Sequence, residues 1–430
     1  MAHKLETVAV HAGRDDLHTL GVHALPIDLS TTYPTPHLDE ATASIDALEA
    51  GARTAPNPIY ARIHNPTVGR FEDGLARLEG ADGAVAFASG MAALTACLLA
   101  AQDHGRHVVA IRPLYGGSDH LLDHHLLAND VTWATPNTVA EAIRPDTALV
   151  LMETPANPTL ALVDIEAVVT QAGSVPVLVD STFMTPVLQN PLRHGAALVL
   201  HSGTKFLGGH GDVVAGVVAT NESWCAKLRR VRMLTGGILH PLAAYLLHRG
   251  LQTLPLRVRA AQAGARVLVD HLKDHDMVER VLYPGLPACD PLGLVGRQMS
   301  GPGSMLAFEV RGGHPAAAAV MEQVELLTPA VSLGSTDTLI QHPAGLTHRV
   351  VDPAALKAAG ISQGLLRIST GIENPEDLWE DLRGALNRAK EAVFEAPDAP
   401  VPLGGASTEN RHGTFMKSMP HPGGSRLQFD

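Results

Sequence analysis

The residues of this chain best suited to chemistry lie in one stretch, Val177 to Gly216, which reads VLVDSTFMTPVLQNPLRHGAALVLHSGTKFLGGHGDVVAG. Asp180 closes one apolar run, and Lys205 follows another inside Ser-Gly-Thr-Lys. Lysine is ordinarily a solvated residue, so a lysine flanked by apolar runs, glycines and small hydroxylated residues calls for another explanation. Its amine can condense with a carbonyl group, and an aspartate on a neighbouring strand can keep a pyridine nitrogen protonated so that the ring accepts electrons. The pair Lys205 and Asp180 therefore points to a Schiff base with pyridoxal 5'-phosphate (PLP).

Other groups fit the same picture without deciding it. Ser89-Gly90-Met91 follows one apolar run and opens another, so a phosphate could rest on the N–H groups of a helix start, with Gly90 allowing close approach. Ser202 and Thr204 add hydroxyl donors. Tyr115 could stack on a planar ring or simply pack in the interior. Asp180 could equally cap the turn at Ser-Thr-Phe. Arg367 has the planar fork that matches a carboxylate, although a surface ion pair is the default for any single arginine. Tyr60 and Arg62, taken alone, read as loop packing.

The elements that must position these groups alternate in type. Apolar runs at 83–89, 107–112, 148–153, 175–180, 196–201 and 213–219 are expected to be strands of a mainly parallel sheet buried on both faces. Helical patterns at MAALTACLLAAQ, SDHLLDHHLLA and IEAVVTQAG fill the intervals. Ser89, Tyr115, Glu153, Asp180, Ser202 and Lys205 all fall at or just past strand ends, where α/β sheets bind ligands. The chain divides into an arm at 1–60, a large α/β domain at 61–255, a smaller α+β domain at 256–396 and a Pro- and Gly-rich flexible tail at 397–430. The stretch from 241 to 272 reads as one long amphipathic run, and Pro375 opens a closing helix.

Composition narrows the class. The 430 residues are 45% hydrophobic and 18% charged, as in an ordinary globular protein. A net charge of −12 argues against nucleic-acid binding. Cys97, Cys225 and Cys289 are scattered and form neither a disulfide framework nor a metal motif, and no metal is expected. No run approaches the length of a membrane span, and the N-terminus has no signal-like apolar core, so a cytoplasmic protein is expected.

YARIHNPTVGRFEDGLARLEGA, ASGMAAL, YGG, ETPANPTLALVDI, the Val177–Gly216 stretch, SLG, HPAGLTH and RISTGIENPEDL occur in this order. This set resembles the PLP-dependent enzymes of cysteine and methionine metabolism across about residues 5 to 390. The resemblance implies an aspartate-aminotransferase-like fold (fold type I) and PLP as cofactor. It implies that Lys205 carries the cofactor and moves protons, Asp180 meets the pyridine nitrogen, and Asn157 the ring hydroxyl. Gly90, Met91, Ser202 and Thr204 would hold the phosphate, and Tyr115 would stack on the ring and serve the leaving group. Ser332 and Arg367 would take the substrate carboxylate. Tyr60 and Arg62 would reach a neighbouring subunit of a homotetramer built as a dimer of dimers.

Within the family, Val331-Ser332-Leu333-Gly334 stands where cystathionine enzymes typically carry Glu-Ser-Leu-Gly, and His210-Gly211-Asp212 also resembles methionine γ-lyase. The expected activity is α,γ-elimination of L-methionine or a related sulfur amino acid to 2-oxobutanoate, ammonia and a thiol. Gly117 departs from the cysteine common in methionine γ-lyases and is expected to leave more room in the pocket. Cystathionine γ-lyase or γ-synthase activity, O-acylhomoserine sulfhydrylation and, from a different class, a non-catalytic PLP-binding protein are the alternatives.

Overall fold

The apolar runs of the first half assemble into one sheet because each needs both faces covered. The computed structural model describes residues 3–124, 126–349, 356 and 359–395; the tail expected at 397–430 lies outside them. Strands β1 (Gly83–Phe87), β2 (His107–Ile111), β3 (Asp130–Ala134), β4 (Thr147–Glu153), β5 (Val177–Asp180), β6 (Leu198–Ser202) and β7 (Gly216–Thr220) form a sheet in the order β1-β7-β6-β5-β4-β2-β3. From β6 to β3 every pair is parallel, and β7 runs antiparallel to both β6 and β1. All seven residues of β4 are buried, as a central parallel strand requires. β3 is an edge strand, half-buried at most positions and without an apolar run, so the sequence pattern does not announce it.

Helices cover both faces. Gly90–Ala101 packs with Trp224 and Leu228 of Glu222–Thr235 against one face. Pro66–Glu79 and Pro241–Leu251 line the other. Local chemistry starts and stops them. The Asn65 side chain accepts from the N–H groups of Thr67 and Val68, Pro66 sits in the first turn, and Gly80 ends the helix at φ +69°. The stretch expected to be continuous from 241 to 272 is two helices, Pro241–Leu251 and Leu254–Leu272. Pro255 explains the break, since it has no N–H to bond the Leu251 carbonyl four residues back and its ring crowds that carbonyl. The helix expected over SDHLLDHHLLA is likewise shorter, Gly116–Asp123.

The second half builds a five-stranded sheet from β8 (Val278–Leu282), β9 (Met305–Val310), β10 (Thr328–Pro329), β11 (Leu339–Gln341) and β12 (Leu365–Ser369), in the order β10-β11-β12-β9-β8. It is antiparallel apart from β10–β11. Its core joins Leu306, Phe308, Leu366 and Ile368 to the helices Leu254–Leu272, Gly313–Gln323 and Pro375–Lys390. Near the N-terminus, the helix Leu5–His11 buries Ala9 in the core of the first sheet, and Leu38–Glu49 forms a second helix. Among the described residues no helix is long and apolar enough to cross a membrane.

Candidate active site

Adjacent parallel strands β4, β5 and β6 end in Glu153, Asp180 and Ser202, with Glu153 paired in register to Asp180. Lys205 sits in the turn just past β6, and Tyr115 just past β2. The second half of the chain contributes Val331, Ser332, Leu333 and Arg367. These side chains line one cavity of about 450 Å³ together with Gly90, Met91, Asn157 and Thr204.

Lys205 is half-buried, and its Nζ donates to Ser332 Oγ at 2.6 Å. Burial, and then the Arg367 guanidinium, push the amine down to about 8. Much more of it is therefore neutral at physiological pH than for a surface lysine. Ser332 holds φ at +89°, a left-handed conformation that costs a non-glycine residue of order 1–3 kcal/mol. In that conformation its hydroxyl meets Lys205 while its carbonyl accepts from Arg367 Nη2 at 2.7 Å.

Arg367 is in the middle of β12 and buried, so the surface ion pair expected by default is not what forms. Its Nη1 donates to Asn157 Oδ1 at 2.6 Å. Neutral oxygens take these hydrogen bonds, while the buried Glu153 carboxyl interacts with its charge through space. Burial draws it down to about 10, so it remains protonated at neutral pH. Asn157 is in turn fixed through its N–H, which Glu153 Oε1 accepts at 2.7 Å.

Asp180 accepts on Oδ1 from both the N–H and the hydroxyl of Thr182, at 3.0 and 2.6 Å. The turn-capping reading and a place on the cavity wall hold together. Burial pushes its carboxyl up, more than the Thr182 hydrogen bonds and nearby His201 pull it down. A protonated pyridine nitrogen would supply a compensating charge. A phosphate has an equally prepared place: the helix Gly90–Ala101 starts at the cavity with Ser89 as its cap, where the first N–H groups have no partner within the helix. A Cβ at Gly90 would lie 3.2 Å from the Ser202 Cβ, so glycine is what lets the helix start approach that strand end. Ser202 and Thr204 complete the corner, although the Thr204 hydroxyl already bonds to the Ala215 backbone. On charge, donors and space the residues fit PLP.

Tyr60, Arg62 and Gly117, expected at the site from the sequence, do not line this cavity. Gly117 lies beside it, and a Cβ there would sit 2.7 Å from Cε1 of Tyr115 and 3.2 Å from Sδ of Met91. The room expected from the missing side chain is taken up by the tyrosine ring. Tyr60 and Arg62 are exposed; the guanidinium lies over the Tyr60 ring and donates to the Met233 carbonyl at 2.6 Å. Conversely, Glu153, Ser118, Thr182, Leu346 and Thr347 line the cavity without having been assigned a role. Glu153 had a signal in its place at a strand end, and Leu346 and Thr347 in the HPAGLTH motif.

Residues 6–387 match the family described as Cys/Met metabolism PLP-dependent enzyme. The chain belongs to that family. PLP is accordingly its cofactor, and its fold is that of the fold type I PLP enzymes. It is 58% identical over 384 residues to an L-methionine gamma-lyase of Streptomyces avermitilis, covering 89% of each chain. It is 55% identical to an L-methionine gamma-lyase of Brevibacterium sandarakinum, covering 90% of this chain and 98% of that one. Among solved structures, a cystathionine gamma synthase from Xanthomonas oryzae pv. oryzae in complex with cystathionine superposes with a TM-score of 0.84 at 37% identity, covering 92% of this chain and all of that one.

Proposed function

We propose that the protein is a PLP-dependent carbon–sulfur lyase that converts L-methionine and water to 2-oxobutanoate, ammonia and methanethiol. The observation that carries this reading is the 58% identity to an L-methionine gamma-lyase over 89% of both chains, joined to the apolar Val331 on the substrate side of the cavity. When bound, PLP supplies an electron sink that makes the protons on Cα and Cβ of an amino acid removable.

The chain's own residues would then work as follows. Arg367, with Ser332, binds the α-carboxylate and fixes the amino acid's orientation. Lys205, whose amine is already near neutrality, takes the Cα proton and moves protons along the substrate. Asp180 holds the pyridine nitrogen positive, while Asn157 meets the ring hydroxyl. Gly90, Met91, Ser202 and Thr204 hold the phosphate. Tyr115 stacks on the ring and delivers a proton to sulfur as the Cγ–S bond breaks. Val331 and Leu346 offer apolar contact to the methylthio end.

We read residues 61–255 and 256–396 as the two domains, and residues 1–60 as an arm. We further infer a cytoplasmic homotetramer in which Tyr60 and Arg62, exposed in one protomer, reach the phosphate of a neighbouring subunit. A second reading, cystathionine γ-lyase or γ-synthase activity, draws support from the 0.84 TM-score to a cystathionine gamma synthase. Incubating purified enzyme with L-methionine, L-cystathionine, or O-acetyl-L-homoserine plus sulfide, and assaying 2-oxobutanoate and thiol products, separates the two. Methionine should give the highest kcat/KM, and a strong preference for cystathionine would reject the first reading.

A further inference from the structure

The hydrogen bonds around the cavity form a chain with one buried carboxylate at its centre. Glu153 is the last residue of β4 and only 6% exposed. Its Oε2 accepts the N–H of Tyr115 at 2.7 Å, and its Oε1 accepts the N–H of Asn157 at 2.7 Å. From Asn157 the chain continues to Arg367 Nη1, and from Arg367 Nη2 through the Ser332 carbonyl to the hydroxyl that meets Lys205. We infer that Glu153 is a positioning residue: it locks the Tyr115 turn and the Asn157–Arg367 clamp into one register, so that leaving-group proton transfer and carboxylate binding are set by a single carboxylate. The inference rests on the proposed roles of Tyr115 and Arg367.

Three observations favour this over an ordinary strand-end cap. The two N–H groups belong to different loops, so one carboxylate joins residues 115 and 157, 42 positions apart in sequence (157 − 115). Tyr115 is 42% exposed, so packing alone holds it less than it would a buried tyrosine. Glu153 also stands beside Asp180 in register, where two carboxylates in a buried setting repel. Burial and that neighbour both push the Glu153 carboxyl up. A glutamine would avoid the repulsion but present an NH2 group to one of the two N–H donors, leaving that donor unpaired. Both Glu153 oxygens nonetheless face N–H donors, an arrangement that an amide nitrogen cannot share.

The test is a pair of double-mutant cycles on the PLP-loaded enzyme. Glu153→Gln should lower kcat/KM about 10²-fold, because misplacing reacting groups by about 1 Å costs roughly that much. The loss should fall on kcat where the unpaired N–H is that of Tyr115, and on KM, through Arg367, where it is that of Asn157. Adding Glu153→Gln to Tyr115→Phe should then cost only a few-fold more in kcat. Adding it to Arg367→Lys should weaken binding of L-norleucine, followed by the visible absorption of the cofactor, only a few-fold further. Fully additive losses in both cycles, or wild-type kinetics in Glu153→Gln, overturn the inference. If Glu153→Gln does not fold, Glu153→Asp takes its place in both cycles. It keeps the charge but, one methylene shorter, reaches only one N–H, so coupling should survive in one cycle alone, and additivity in both again overturns the inference. A wild-type enzyme that releases no 2-oxobutanoate from methionine contradicts the proposed function instead, whereas additive cycles in an active enzyme contradict only the role of Glu153.

Discussion

The two walls of the cavity are built differently. The wall at the strand ends carries Asn157, Asp180 and Lys205, with Arg367 facing them from β12, and all are held by hydrogen bonds to other site residues or adjoining turns. The opposite wall presents Val331, Leu346 and Tyr115, which are 53%, 47% and 42% exposed. Groups on the first wall are uncomfortable without a partner: burial pushes the Asp180 carboxyl up, and the Lys205 amine and Arg367 guanidinium down. Such arrangements mark sites shaped for reaction more than for stability. Val331 and Leu346 on the second wall have no polar side-chain atoms to bond and can change without disturbing the first, whereas Tyr115 is tied to it through Glu153. Reaction type should therefore be hard to alter in this scaffold, and substrate preference easy.

The largest expected effect is on the first wall. Lys205→Ala should lower 2-oxobutanoate formation by about 10³-fold or more, because it would remove the proposed proton carrier as well as the proposed anchor of the cofactor. Asp180→Asn should lower kcat/KM by about 10²-fold, since a fixed charge opposite the ring is lost. The stability of the PLP-free protein should move the other way. A carboxyl whose pKa is raised on folding withdraws stability as pH climbs through its unfolded value toward its folded one. PLP-free Asp180→Asn should therefore melt no lower than the PLP-free wild type at pH 7, and a clear drop in its melting temperature would break the contrast between the walls.

On the second wall the effects should be smaller and selective. Val331→Glu should shift the ratio of kcat/KM for methionine over cystathionine by about tenfold toward cystathionine, with cofactor binding unchanged. Gly117→Cys should push on the Tyr115 ring and Met91 and change kcat/KM for methionine by only a few-fold, measured in the same assay. The smallest effect concerns pH. Only the neutral amine of Lys205 reacts with a carbonyl, and burial lowers its pKa to about 8. The rate at which PLP-free enzyme recaptures PLP should thus rise with pH up to about 8 and level off there. A rise continuing past 10 would show an ordinary, solvated lysine.

Much of the first wall was legible in the sequence, because its residues sit where apolar runs stop. Asp180, Ser202 and Lys205 are marked by strand ends alone. Arg367 was legible as a residue but not as a buried one, since the short β12 gives no sign of the sheet that covers it. The part played by Glu153 was hidden because its partners are backbone N–H groups, which have no residue type to read. Edge strand β3, with no apolar run, and the two-residue β10 fell below what periodicity detects. The space at Gly117 was misjudged for a related reason: where a neighbouring ring swings is a property of packing, not of spacing.

Lys205 is the proposed attachment point of the cofactor. Reducing the PLP-loaded enzyme with borohydride would make that attachment permanent, and peptide mass mapping would then locate it. The phosphopyridoxyl group should appear on the peptide containing Ser202-Gly203-Thr204-Lys205 and on no other. A group found on a different lysine, or an enzyme that stays active when Lys205 is replaced, would contradict the account.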